Sequence, residues 1–440
     1  MITGDLSDRL KIGRQIAAIT TAFMLPVSTS GQAIAVSVFA VLALLTLDRE
    51  RLLSTLRSPQ GYLPILLFAL LLVGVLWSMQ PLGAAIKWVG PYTKLLLIPL
   101  VMATGFTRRE ALQIGYGFLA ACLILLALSW TYLLWPSGPW GWFRDPGVPV
   151  KDNAVQSECF ALCAFALASG AFKVWRRDDQ TRAMVMTVLA ILFFANIFLI
   201  LFSKTGILIA LSLLALLLIQ NWSWQRMALV VLPALFIIAL SQLVSAPAQL
   251  RRDQVLTDLA ALSRQQQPTP DAQQNASPRE QKDATAGQPI SAPKSPAETI
   301  STSSRLDFWS KAAIFVKQAP LFGHGTGSIR PLYQSMEATR PSPYGEAVAD
   351  PHNQFLHIVL QVGLVGGLLL LAMWASHAWM FLGRDFASAL GLAVVLQNFV
   401  GSLFNSHLSQ VTQGMLYCLA VGLLGAIVMT AKARATPSDH

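Results

Sequence analysis

The sequence predicts an all-α, polytopic membrane protein with about twelve transmembrane helices and a large helical loop outside the membrane, late in the chain. Three observations carry this prediction. Only 12% of the 440 residues are charged, about half the share of a soluble domain, while 54% are hydrophobic and the mean hydropathy is +0.54. Apolar runs close to the ~20 residues that a bilayer requires recur along the chain. The basic residues fall in alternate connections between those runs, as the positive-inside rule demands.

The runs occupy 13–28, 31–47, 62–78, 86–104, 111–134, 154–174, 182–202, 204–220, 226–244, 353–375, 385–404 and 409–430. If they alternate across the bilayer, one side collects Lys11 and Arg14; Arg49, Arg51 and Arg57; Arg108 and Arg109; Lys173, Arg176, Arg177 and Arg182; Arg226; Arg384; and Lys432 and Arg434. That side is expected to be cytoplasmic, with both termini on it. The net charge of +10 is then first an orientation signal. No basic stripe interleaved with aromatics points to nucleic acid. The first run follows Lys11 and Arg14 with no cleavage signature and reads as a retained helix. Cys122, Cys159, Cys163 and Cys418 all lie in apolar runs, as small buried hydrophobes do and as disulfide or zinc cysteines do not.

The chain thus divides into spans one to nine over 1–244, an external loop domain over 245–352, and spans ten to twelve with a cytoplasmic tail over 353–440. A smaller external segment, 135–153, is rich in Trp, Pro and Gly and suits a membrane interface. In the large loop, Ala248–Ser263 has an amphipathic helical pattern. Residues 265–302 are Gln, Pro, Ala, Ser and Thr rich and read as a disordered insert, because they cannot bury enough apolar surface to order themselves. Ser304 and Asp307 resemble a capping box that starts a helix to about Lys317. Pro320, Gly323, Gly325 and Gly327 predict turns, and a short helix is expected near 329–338.

The segment most suggestive of chemistry is Asp350-Pro351-His352-Asn353-Gln354-Phe355-Leu356. Asp350 suits an N-cap and Pro351 the first helical position, which places His352 in the first turn of a transmembrane helix. The positive end of the helix disfavours imidazolium, so a neutral His352 is available as a general base. The same helix end attracts phosphate. On residue type alone, an ordinary interfacial histidine is the commoner reading. Gly363, Gly366 and Gly367 are expected to share one side of that helix and permit close helix packing. Cations gather on the same external face: Lys204 in the turn Phe202–Gly206, Arg305 on a helix with Phe308 and Trp309, Lys87, Arg144, Lys151, Arg330 and Arg340. Lys204, held between two apolar spans, is the costliest of them. There is no external Asp-x-Asp pair, no zinc spacing and no Walker loop, and no paired carboxylate stands out for glycoside hydrolysis. A reaction here must meet anionic oxygens with Arg and Lys.

These residues resemble the O-antigen ligase and polymerase superfamily of bacterial envelope glycosyltransferases. Three segments carry the likeness: Ser203-Lys204-Thr205-Gly206, where the family typically has Ser-Arg-x-Gly; Arg305-x-x-x-Trp309 followed by Pro320-Leu321-Phe322-Gly323-His324-Gly325; and Pro351-His352-Asn353-x-Phe355-Leu356 with Gly363 and Gly366. The resemblance implies a GT-C-like architecture in the bacterial inner membrane and a site facing the periplasm. It implies transfer from an undecaprenyl-diphosphate-linked glycan, inverting and without metal or other cofactor. In the ligase the acceptor is a sugar of the lipid A-core. Carried onto this sequence, His352 takes the proton of the acceptor hydroxyl, and Arg305, with Lys204 and Lys87, binds the departing diphosphate. Arg144 and Lys151 hold donor or acceptor phosphates, and Asn353 and Arg330 join the substrate-binding set. Lys204 in place of arginine keeps the charge but loses the bidentate fork. The expected partners are the lipid-linked donor, the lipid A-core acceptor and membrane lipids, with no nucleic acid. An O-antigen or exopolysaccharide polymerase, which uses a second lipid-linked glycan as acceptor, is the nearest rival, and a protein O-oligosaccharyltransferase the next. A transporter calls for mid-membrane ionisable residues and repeated halves, neither evident here.

Overall fold

The computed structural model describes residues 2–221, 231–240, 302–337, 340–341 and 350–435. The expected amphipathic helix at 248–263 lies outside them, as does the expected insert at 265–302 apart from its last residue.

Every apolar run is helical where it is described, and the described residues contain no β-strand. In the first half of the chain, α1 (Ile2–Val27) and α2 (Thr29–Leu45) are followed by the short polar α3 (Arg49–Leu56) and by α4 (Pro59–Val73), which tightens into a 3-10 turn at Gly74–Trp77. A run of short pieces follows: α5 (Leu82–Ala85), 3-10 turns at Ile86–Trp88 and Gly90–Leu96, and α6 (Leu97–Ala103). Next come α7 (Arg108–Leu134), α8 (Asn153–Trp175), α9 (Gln180–Asn196) ending in a π turn at Ile197–Leu201, α10 (Lys204–Gln220) and α11 (Val231–Leu240). The next described helices are α12 (Thr302–Gln318) and α13 (Ile329–Glu337), followed by α14 (Gln354–Met380), α15 (Phe386–Ser402) and α16 (Val411–Ala435).

The helix starts follow local chemistry. Thr107 and Glu110 form a capping box at α7, and Asp152, Ser203 and Asp385 accept backbone N–H groups at α8, α10 and α15. The helices pack as one body: α1 against α2 and α7, α8 against α9 and α10, α4 against α14, and α6 and α15 against α16. Many large apolar side chains face outward, among them Leu134 at 83% and Leu76 at 78% exposure. On a soluble protein such faces are a liability, whereas here they face lipid.

Six of the described helices are long and apolar enough to cross a bilayer, or eight if each of two bent pairs is one span. The bent pairs are α2 with α3, at 108°, and Leu82–Trp88 with Gly90–Ala103, at 47°. The dozen expected from the sequence also included runs that fold as the shorter helices α10, α11 and α15. At 1.5 Å per residue a 17-residue helix is only about 26 Å long, less than the ~30 Å hydrocarbon core.

One run departs from expectation. α14 is not continuous but breaks at Val362 (φ −129°) and Gly363 (φ 69°, ψ −171°). The turn Pro320–Gly327 enters the break and takes over the lost hydrogen bonds. The Leu360 and Gln361 carbonyls accept from the amides of His324 and Gly325, and the Leu364 N–H donates to Pro320 O, all at 2.8–2.9 Å. The Gln361 carboxamide receives Gly327 N–H at 2.9 Å. Irregular backbone is tolerated at such a place because protein, not lipid, satisfies it. Gly363 therefore serves a different purpose from the helix packing expected of it. A Cβ on Gly363 would overlap the Leu321 carbonyl, and one on Gly323 would sit 2.6 Å from the Gln361 backbone.

Candidate active site

His352 lies between the external helices and the membrane body. It is not in the first turn of α14, as expected, but just outside it. Asn353 is the N-cap, and its side chain accepts from Leu356 N–H at 3.0 Å. Asp350 instead folds back on the chain, accepting the backbone N–H of His352 at 2.8 Å. That short turn holds His352 in the left-handed region, φ 53°, which few non-glycine residues adopt. Pro351 is buried, and its carbonyl receives Trp309 Nε1–H at 3.0 Å. The Phe308 ring lies 6.3 Å from the imidazole.

The geometry assigns the imidazole tautomer. Asn405 Oδ1 accepts Ser406 N–H at 3.0 Å, which fixes which end of the carboxamide is oxygen. The same oxygen faces His352 Nδ1 at 3.4 Å. Asn405 Oδ1 can only accept, so Nδ1 is the nitrogen suited to donate; in the neutral form with its proton there, Nε2 keeps the lone pair that a general base needs.

A second polar shell supports Asp350. The Ser406 hydroxyl donates to its carboxylate at 2.5 Å, and His357 Nδ1 lies 3.2 Å from that hydroxyl and 3.5 Å from the carboxylate. Burial pushes the Asp350 carboxyl up, but the contacts from His357, His352 and Ser406 outweigh it and hold the group below the ordinary carboxylate range. His357 packs edge-on to Tyr92, whose hydroxyl receives Gln354 Nε2–H at 3.2 Å.

Asn405 and Ser406 belong to the turn Leu403–Gln410 between α15 and α16, and that turn is pinned from three sides. The Asn353 carboxamide donates to Leu403 O at 3.0 Å. Lys94 Nζ donates to Gln410 O at 2.5 Å, and the Gln354 carboxamide accepts Leu408 N–H at 2.8 Å. His407 points into the bundle, where its Nε2 lies 3.2 Å from Glu158 on α8; both are buried, at 1% and 2% exposure.

Arg305 lies on α12, three and four residues before Phe308 and Trp309, so the helix period puts it on the same face as these two rings, which contact the Pro351–His352 turn. It is half-buried; its Nε is fully buried and makes no hydrogen bond to any described residue. Burial alone lowers its pKa from the ordinary arginine value. An unpartnered buried guanidinium nitrogen marks a place for an anion. α12 is held in place by Lys311, which is fully buried between Asp307 at 3.2 Å and Glu337 at 3.0 Å. Tyr333 adds a bond from its hydroxyl to Phe308 O at 2.8 Å.

The other expected site residues are spread around this centre. Lys204 is exposed at the first position of α10, after Phe202 turns the chain at φ 44°. Its turn rests on α8: Asn153 donates to Leu201 O, and Gly206 meets Ser157. Lys87 and Arg330 are exposed on either side of the contact between Trp88 and Gly327, and Arg144 is exposed in the 135–152 loop. Lys151 and Asn353 are placed differently. Lys151 is buried, its ammonium donating to Thr29 and Thr412 hydroxyls at 2.9 Å each, and burial lowers its pKa. Both ends of the Asn353 carboxamide are committed to backbone, as given above. Sequence reasoning missed Asn405, Ser406, His357 and Glu158. A cue for the first two was present: Asn405-Ser406-His407 is a polar triplet between two apolar runs.

A family model described as O-antigen ligase matches residues 188–371, from within α9 to within α14. No curated protein matches the chain. The matched stretch contains the Lys204 turn, Arg305, the turn that enters α14, and His352, so the motifs quoted above and the family match fall on one region, and that match supports membership of the O-antigen ligase and polymerase family.

Proposed function

We propose that this chain is an O-antigen ligase that transfers a glycan from a polyprenyl diphosphate to a sugar hydroxyl of lipid A-core at the periplasmic face of the inner membrane, in a GT-C-like architecture. The orientation follows the positive-inside rule: Lys173, Arg176, Arg177 and Arg182 sit at the end of α8 and α9 opposite to His352. The observation that carries the chemistry is the proximity of His352, whose Nδ1 faces Asn405, to α12, where the partly buried Arg305 has an Nε with no hydrogen-bond partner among the described residues. His352 Nε2 takes the proton of the acceptor hydroxyl as the hydroxyl oxygen attacks the anomeric carbon. The bond from that carbon to the diphosphate oxygen breaks from the opposite side, with inversion. Arg305, and Lys204 from the α10 end, bind the diphosphate as its charge grows. Lys87, Arg144 and Arg330 line the approaches, where exposed cations attract phosphates.

The reading is tested in liposomes carrying lipid-linked glycan and two acceptors, lipid A-core and a second lipid-linked chain. Glycan on lipid A-core is expected; growth of the lipid-linked chain instead identifies a polymerase. His352→Ala should reduce transfer by at least 100-fold with protein level and donor pool unchanged. Persisting transfer removes His352 from the mechanism. Arg305→Ala should act in the same direction.

A further inference from the structure

Away from His352, helices α8 to α11 enclose a cavity of about 720 Å³. On α8 it is lined by Ala161, Ala164, Ala168 and Ala171, spaced three and four apart, together with Phe165 and Phe172, so that a row of small side chains leaves space along that face of the helix. The α9, α10 and α11 walls are mostly apolar. The polar lining is concentrated at one end, where Trp175, Arg176, Gln180 and Thr181 close the turn between α8 and α9. From Ala161 to Trp175 α8 rises about 21 Å, half of the ~40–45 Å bilayer with its headgroups. The cavity thus spans one leaflet, and it is the leaflet remote from His352.

Charge singles out the ligand. Of the cations at that end, Lys173 lies over the Phe386 ring, Arg182 pairs with Asp179 at 3.2 Å, and Arg177, like Arg176 without a carboxylate partner among the described residues, does not line the cavity. Arg176, at the mouth, has no carboxylate partner among the described residues. An apolar slot one leaflet deep, with an unpaired guanidinium at the headgroup level and a tryptophan beside it, matches a lipid with an anionic head. A diphosphate held near His352 belongs at the other face, so the slot does not suit the donor.

We infer that the cavity between α8 and α11 is a binding site for an anionic glycerophospholipid of the cytoplasmic leaflet, with its phosphate on Arg176 and an acyl chain along the alanine face of α8. The leaflet assignment rests on the orientation proposed above, whereas the lipid class rests on the cavity and Arg176 alone.

The test uses the full chain reconstituted in vesicles of equal phosphatidylglycerol and phosphatidylcholine, extracted into mild detergent, with retained lipid counted by native mass spectrometry. Wild type should retain phosphatidylglycerol over phosphatidylcholine by about fivefold, the effect of one cation at an anionic headgroup. Arg176→Gln should bring the two to parity, and Ala168→Phe, which fills the cavity, should remove both. Parity in the wild type, an unchanged preference in Arg176→Gln, or a co-purifying polyprenyl phosphate in the place of phosphatidylglycerol overturns the inference. Arg176 is exposed, so its substitution decides the matter even if Ala168→Phe fails to accumulate. The readout involves no glycan transfer, so its failure leaves the proposed reaction standing, and loss of transfer leaves the lipid site standing.

Discussion

The chemistry of this site depends on atoms that residue type alone does not orient. His352 was visible in the sequence as a histidine beside a helix start, but its backbone conformation and tautomer come from Asp350 and Asn405, the second of which lies 53 positions away. Asp350 is also the residue whose titration reports on this arrangement. Its carboxyl is held below the usual value of about 3.9 in the folded protein, so the stability it contributes is present above that value and is lost as pH falls toward the lowered one. The melting temperature of wild type should therefore fall below about pH 4 more steeply than that of Asp350→Asn. Parallel curves for the two proteins refute the assignment. At neutral pH Asp350→Asn should also slow transfer, since the turn that presents His352 is loosened.

At the scale of elements, hydropathy located α14 but not its break. Glycines at 363, 366 and 367 fit helix–helix packing as well as they fit a bend, because both uses need small residues on one face. The difference lies in the turn Pro320–Gly327, which supplies donors and acceptors only once it is folded against the break. Gly363 sits at φ 69° and ψ −171°, a region open essentially to glycine alone, and a Cβ there would also overlap Leu321 O. Gly363→Ala should cost about 2 kcal/mol or more, read as a lower melting temperature in detergent, whereas Gly83→Ala, with open space around it, should cost little. Equal melting points for the two variants would show that the break is not needed.

For the whole molecule, the two halves of the family motif set are joined through α8. The Lys204 turn rests on Asn153 and Ser157 near its start, and the next residue, Glu158, lies 3.2 Å from His407 in the turn that carries Asn405 and Ser406. Removing one partner of a buried pair leaves the other without compensation, at about 3–5 kcal/mol. Glu158→Ala and His407→Ala should each lower thermal stability by that order, and the double variant should lose less than the sum of the two. Strict additivity would mean that the pair does not act as a unit.

By itself the sequence determined the helical membrane class, the positions of the apolar runs, the charge asymmetry between alternate connections, and the three segments that resemble the O-antigen ligase family. These are local properties: hydropathy and helix period are read within some twenty residues, and motifs within fewer. Tertiary structure alone decided that α14 is broken, that His352 stands outside the helix with Nδ1 facing Asn405, that Lys151 is consumed by two hydroxyls while Arg305 keeps a buried nitrogen without a hydrogen-bond partner among the described residues, and that Glu158 meets His407 inside the bundle. Each of those outcomes turns on which polar group finds a partner once water is excluded. The partners come from segments as far apart as Lys151 and Thr412, which no local pattern in the chain connects.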